Sequence, residues 1–123
     1  MNMIYVLAGG SLGSLARYYA GIWITNAVGV RAAGTLTVNV LGSFIIGLFL
    51  VMGMERHSWS NGVILLVSVG FLGGFTTFST FAWQTLQLAE GGSISQAALN
   101  VGLSIGLGML AVWLGATLAR ALT

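Results

Sequence analysis

The chain has no cysteine, no lysine and no aspartate, and its 123 residues carry only six formal charges: Arg17, Arg31, Arg56, Arg120, Glu55 and Glu90. Without cysteine there is neither a disulfide framework nor a thiolate metal site, and the redox compartment leaves no mark on the composition. No basic patch exists, so no nucleic-acid partner is expected. A charged fraction of 5% falls far below the quarter or so of soluble domains, whereas 57% of the residues are hydrophobic and the mean hydropathy is +0.98. The N-terminus has no basic run ahead of its first apolar stretch, so no removable signal peptide is read there. These features describe a small all-α integral membrane protein with lipid around most of its surface.

Acids and nucleophile–base pairs are also missing where chemistry would need them. No Asp or Glu lies inside a long apolar run, and Glu90 falls at a turn. Proton-coupled carriers normally place an ionisable group in the membrane, so proton-driven transport is not favoured. The single histidine, His57, neighbours Glu55 and Arg56 in a polar stretch away from the Ser and Thr of the spans. No activated hydroxyl can be assembled from these residues, which argues against an enzyme.

What is present is a series of long uncharged runs. Residues 3–25, 34–53, 62–89 and 94–119 read as four membrane spans of one domain, 1–123. The connections are residues 26–33, a polar turn at 54–61 that includes His57, and Glu90-Gly91-Gly92-Ser93. Trp59 is expected at the membrane interface. Short loops make neighbouring spans antiparallel and bring both termini to one side. Gly9 and Gly13 form a small-xxx-small pair that admits a second backbone, and Gly102, Gly106 and Gly108 add small residues to the fourth span. Arg56 and Arg120 would lie on one side and Arg31, with Arg17, on the other. That balance sets no firm orientation, so the chain is expected to insert both ways and to pair as an antiparallel two-fold dimer.

The third span stands apart. As a straight helix its 28 residues would reach roughly 42 Å, against a hydrocarbon core of about 30 Å. Its middle reads Gly70-Phe71-Leu72-Gly73-Gly74-Phe75-Thr76-Thr77-Phe78-Ser79-Thr80-Phe81. The Gly73-Gly74 pair is poor helix material and is expected to break the span. Phe75, Phe78 and Phe81 then recur at i, i+3 and i+6 on the helix after the break, a spacing that packing alone also produces. A break in mid-membrane must be satisfied by protein, water or an ion.

Neutral donors dominate the remaining polar set: Thr35, Asn39, Ser43, Thr76, Thr77, Ser79, Thr80, Asn100 and Ser104. Asn offers two N–H donors, each hydroxyl one, and a Phe ring presents a weakly positive edge. Donors and ring edges with few formal charges suit the passage of a small anion, bound firmly enough to enter and loosely enough to leave. The same hydroxyls could instead bond across helices or to the carbonyl four residues back. Asn39, near the middle of its span, is costlier to insert and so is the stronger functional candidate. Arg17, the one charge well inside a span, either snorkels to the interface or gives a vestibule positive potential.

Three blocks carry a resemblance. Gly9-Gly10-Ser11-Leu12-Gly13 with Arg17-Tyr18, then Gly34-Thr35-Leu36-Thr37-Val38-Asn39-Val40-Leu41-Gly42, then Gly70 to Phe81, resemble the signature segments of the Fluc (CrcB) fluoride channels over the whole chain. The resemblance implies a dual-topology antiparallel homodimer in the plasma membrane that exports fluoride passively through two pathways. It implies that Asn39 donates to fluoride, that Phe78 and Phe81 line the path with ring edges, and that Thr35, Ser79, Thr80, Asn100 and Ser104 supply a polar track. Arg17 would line the aqueous entrance. A structural sodium ion, not transported, would sit at the dimer centre on the backbone carbonyls of Gly73 and Thr76. Two positions depart from the family pattern: Gln84 stands where many relatives have Glu, and Asn100 where many have an aromatic residue or His. Two other classes fit less well. A four-span multidrug exporter should carry a glutamate in its first span, and a membrane scaffold has no need of Asn39 or the Phe–hydroxyl block.

Overall fold

The computed structural model describes residues 1–56 and 58–123; His57 lies outside the described residues. Helix α1 (Asn2–Val28) leads through Gly29 and Val30 into α2 (Arg31–Arg56). Gly29 has φ 79°, and its N–H bonds the Thr25 carbonyl at 2.7 Å, a left-handed cap that reverses the chain in two residues. The expected loop over 26–33 is therefore much shorter: Asn26 and Arg31 are helical, because polar residues at a span's end need no loop to reach water. Glu55 and Arg56, expected in a turn, instead end α2, where Arg56 meets the negative end of the helix dipole.

The third span, Asn61–Glu90, is built in pieces. Helix α3 (Asn61–Ile64) starts with Ser60, whose hydroxyl accepts the Val63 N–H, and continues as a π-helical stretch over Leu65–Leu72. Helix α4 (Gly73–Phe75) follows, then two extended residues, then α5 (Phe78–Glu90). Gly92, with φ 85°, turns the chain into α6 (Ile94–Leu122). No strand occurs among the described residues. Three stretches are long and apolar enough to cross a bilayer: Arg31–Arg56, Asn61–Glu90 and Ile94–Leu122. Helix α1 is comparably long at 27 residues, but Arg17 and its many small and polar residues dilute its apolarity.

The break is real but displaced. Gly73 is helical, and the interruption falls at Thr76 (φ −90°, ψ 155°) and Thr77 (φ −151°, ψ 121°). β-Branched threonines accept extended backbone readily. The neighbouring glycines serve packing instead. A Cβ on Gly74 would stand 2.7 Å from the Gly10 carbonyl oxygen and 3.1 Å from the Ser14 nitrogen. Phe75 thus precedes the break and does not share a helix with Phe78 and Phe81; it is 6% exposed and stacks on Phe71 with 5.8 Å between centroids.

Close helix approach holds the rest together. Gly9 and Gly13 of α1 bear on the Leu66 and Phe71 carbonyls of the π stretch, as their spacing predicted. Helices α2 and α6 meet where Gly47 faces the Val112 carbonyl and Gly115 the Phe44 carbonyl, flanked by buried Ala111 and Ala119. Gly102 and Gly106 have nothing within 4 Å of an added Cβ, so they take no part in the packing of a single chain. The first half of the third span lies on α1 and the second on α6 and α2, so the break is where the chain crosses from one neighbour to the other. Trp59 folds back over Gly53 and stacks on Phe49 at 5.3 Å.

Candidate functional site

An extended Thr76-Thr77 between two helical pieces removes the helical partners of several backbone groups, and the surrounding side chains take over some of them. Asn39, about two turns into α2 and one turn beyond Thr35, reaches Thr77 with both halves of its amide. Its Nδ2 donates to the Thr77 carbonyl at 2.9 Å, and its Oδ1 accepts the Thr77 N–H at 2.8 Å. Gly42, one turn on, gives Thr76 room, since a Cβ there would collide with the Thr76 methyl. Arg17 of α1 donates from Nε to the Gly74 carbonyl at 2.9 Å. The Thr76 N–H and hydroxyl both bond the Leu72 carbonyl, at 3.0 and 2.9 Å. With Thr77 N–H turned to Asn39, no donor reaches the carbonyl oxygens of Gly73 and Thr76 among the described residues.

Beyond the break, α5 begins with a hydroxyl cap. Thr77 Oγ1 accepts the Thr80 N–H at 3.3 Å and donates to Thr80 Oγ1 at 3.2 Å, with Ser79 Oγ at 3.4 Å. Such a side-chain cap satisfies one of the free N–H groups at a helix start. The Phe78 and Phe81 rings lie 5.5 Å apart with a 57° tilt, and Phe78 is 78% exposed.

Three clefts surround this region. The first, about 360 Å³, brings together Asn39, Thr76, Phe78, Phe81 and Ser104, with Gly73 at its wall. The Ser104 hydroxyl in this cleft is buried and has no hydrogen-bond partner. The second, about 280 Å³, contains Arg17, Arg31, Thr35, Thr80 and Gln84 and has no carboxylate in its lining. The third, about 630 Å³ and mostly apolar, includes Arg31, Gln84 and Asn100. Asn100 is 7% exposed and donates to Thr85 Oγ1 at 2.9 Å.

The residues named from the sequence are thus brought together in two groups. Asn39, Gly73, Thr76, Phe78, Phe81 and Ser104 share one cleft, while Thr35, Thr80 and Arg17 share another. Asn100 stands apart with Thr85, and Ser79 lies exposed at the cap. Thr77, read from the sequence only as one of the neutral donors, is the pivot of the break, and Thr85, the partner of Asn100, had no sequence signal for its part here. The Gln84 Oε1 atom is buried without a donor, where two clefts adjoin. Among the described residues no group of three or more His, Cys, Asp or Glu could hold a metal.

Comparison with known proteins fits this architecture. The family model described as CrcB-like protein, Camphor Resistance (CrcB), matches residues 4–116. A protein of Roseiflexus sp. (strain RS-1) named fluoride-specific ion channel FluC is 45% identical over 99% of both chains. Proteins of the same name from Acidobacterium capsulatum and Solibacter usitatus are 45% and 46% identical, covering 94% and 98% of this chain and 93% and 99% of their own. Those relatives are channels, not enzymes, and with the long apolar helices they make this a multi-pass protein of the bacterial cell membrane. The match runs unbroken from the first turn of α1, through α2 and the broken third span, into the second half of α6, and the chain belongs to the CrcB family.

Proposed function

We propose that the protein is a fluoride-selective channel that lets fluoride leave the cell down its electrochemical gradient and so relieves fluoride toxicity. The observation that carries this reading is the cleft in which Asn39, the Phe78 and Phe81 rings and the unpartnered Ser104 hydroxyl converge. Fluoride entering a membrane must exchange water for other donors, and a small, strongly accepting anion gains most from hydroxyl and amide N–H groups. Asn39 keeps one N–H beyond the one it gives to Thr77, and Ser104 has its whole hydroxyl to give. The Phe edges extend the path without a fixed charge that would trap the ion. Arg17 sits in the neighbouring cleft with Thr35 and Thr80, placed to raise the local anion concentration at an entrance. Ser79 and Asn100 would extend the polar track on either side.

The working unit in this reading is an antiparallel homodimer of four-span chains, inserted in both orientations and solvated by lipid. Phe78, at 78% exposed, and the unpacked Gly102 and Gly106 leave surface that a second copy would cover. A structural sodium ion fits the break. The free carbonyls of Gly73 and Thr76 lie at the C-terminal, negative end of a half-helix, and two copies would double the oxygen set. Sodium there would neutralise those dipoles and join the chains, while fluoride moves along the opposite, N-terminal side of the break.

Purified protein in liposomes loaded with fluoride supplies the test. Efflux well above empty vesicles, in sodium buffer and without a pH gradient, is expected. No flux would refute the channel, and chloride efflux at a comparable rate would make it a general anion pore. Dependence on a proton gradient would point to a carrier.

A further inference from the structure

We propose that Arg17 is a positioning residue for the broken backbone, acting through the Gly74 carbonyl as well as through its charge. In an unbroken α-helix that carbonyl would accept the Phe78 N–H, four residues on. Extended Thr76 and Thr77 carry Phe78 away, and Arg17 Nε–H stands in its place at 2.9 Å. Gly10, Ser14 and Arg17 occupy one face of α1, since residues spaced by three and four share a face. The first two press on Gly74 so closely that it has no room for a side chain, and the third bonds its carbonyl. Helix α1 therefore both docks α4 and completes its last turn.

The charge balance supports the same role. The cleft around Arg17 has no carboxylate, and the salt bridge among the described residues joins Arg120 and Glu55 elsewhere. A half-buried guanidinium needs acceptors, and the C-terminal end of a half-helix supplies carbonyls with about half a negative charge between them. Fixing Gly74 fixes its neighbours, so the direction in which Gly73 and Thr76 present their carbonyls follows from Arg17. The backbone part of this inference holds with or without a bound ion; its consequence for sodium rests on the function proposed above.

Bond counting separates the two roles. Gln Nε2 lies the same number of bonds from Cα as Arg Nε, so Arg17→Gln keeps a donor at that place and removes the charge. Met has a methyl there, so Arg17→Met removes both. Lys has a methylene there and carries its charge one bond further on. Hydrogen–deuterium exchange of the break amides, residues 75–81, would be followed in the full-length protein in lipid. Arg17→Gln is expected within about twofold of wild type, and Arg17→Met to exchange at least about tenfold faster, the loss of the donor to a part-buried carbonyl that is then left unsatisfied. Equal exchange in the Gln and Met variants would overturn the proposal. If Arg17→Met cannot be recovered folded, Arg17→Lys replaces it: better protection with Lys than with Gln would overturn the proposal, and the reverse order would support it. Wild-type protein without fluoride flux would defeat the channel reading and leave the exchange comparison intact.

Discussion

Asn39 and Thr77, 38 residues apart in the chain, exchange two hydrogen bonds of 2.9 and 2.8 Å between one side-chain amide and one backbone unit. The carboxamide pairs with the peptide as a neighbouring strand would, and the extended Thr77 dihedrals make that possible. A single side chain thereby satisfies both polar groups of the residue at the centre of the break. Lipid offers no substitute, so this pairing is a condition for interrupting the helix at this place.

Asn39→Asp tests it. The Asp keeps an acceptor for the Thr77 N–H but sets a carboxylate oxygen against the Thr77 carbonyl, and it removes the N–H left over for an anion. Loss of one bond with an opposed acceptor costs about 1–3 kcal/mol locally. Fluoride efflux should fall at least tenfold, with the protein still eluting at its wild-type position on size-exclusion chromatography. Wild-type flux would contradict both roles of Asn39.

Phe78→Ile tests the ring edge. Phe78 is 78% exposed within one chain, so its replacement by another apolar residue should change the stability of that chain by no more than about 0.5 kcal/mol. Removing the aromatic quadrupole takes away the weakly positive edge. Efflux is expected to be abolished or strongly reduced while the protein remains folded. Unchanged efflux would remove Phe78 from the pathway.

Much of this was legible in the sequence, and the misses share a cause. Long uncharged runs located the helices, and Gly9 with Gly13 announced a close helix contact that the structure contains. The break was placed at Gly73-Gly74 on propensity, whereas packing decided it: α1 needs a small residue at Gly74, and the threonines take the extended geometry. Gly102 and Gly106 looked like packing residues, but Gly47 and Gly115 make the α2–α6 contact. Periodicity shows that a face is small without showing which helix it meets. In the first cleft Asn39, Thr76 and Ser104 stand out as neutral donors by residue type, and the roles of Phe78 and Phe81 come from the family pattern, yet the Asn39–Thr77 and Arg17–Gly74 bonds join distant segments and leave no local signal.

The glycines give a third prediction. A Cβ on Gly13 would collide with the backbone carbonyl of Phe71, which cannot rotate away as a side chain could, so α1 must shift. Gly13→Ala should destabilise by about 1–3 kcal/mol, as overpacking does, and should lower the melting temperature in detergent. Gly102→Ala meets nothing within the chain and should leave the isolated fold as stable or slightly more so, because Ala favours helix by up to about 1 kcal/mol. Equal melting of the two variants would refute the packing account. A smaller assembly on size-exclusion chromatography for Gly102→Ala alone would place that face between copies.

Topology gives the last. Arg56 lies at the end of α2 beside the C-terminus, its guanidinium bonded to the Leu122 carbonyl at 2.8 Å, and Arg120 lies 3.8 Å from Glu55 there. Arg31 opens α2 at the opposite end. Each end of the molecule therefore has its arginines partly offset by one glutamate, and orientation follows from an arginine imbalance that is nearly nil here. The absence of native cysteine makes the measurement direct: Ser58→Cys puts a single thiol in the exposed connection after α2. A membrane-impermeant maleimide added outside intact cells should label about half of it if insertion is random, and permeabilisation should release the rest. Near-complete or near-zero labelling from outside would mean one fixed orientation. An antiparallel pair could not then form, and the carbonyls of Gly73 and Thr76 would have no oppositely inserted copy to complete a shared cation site.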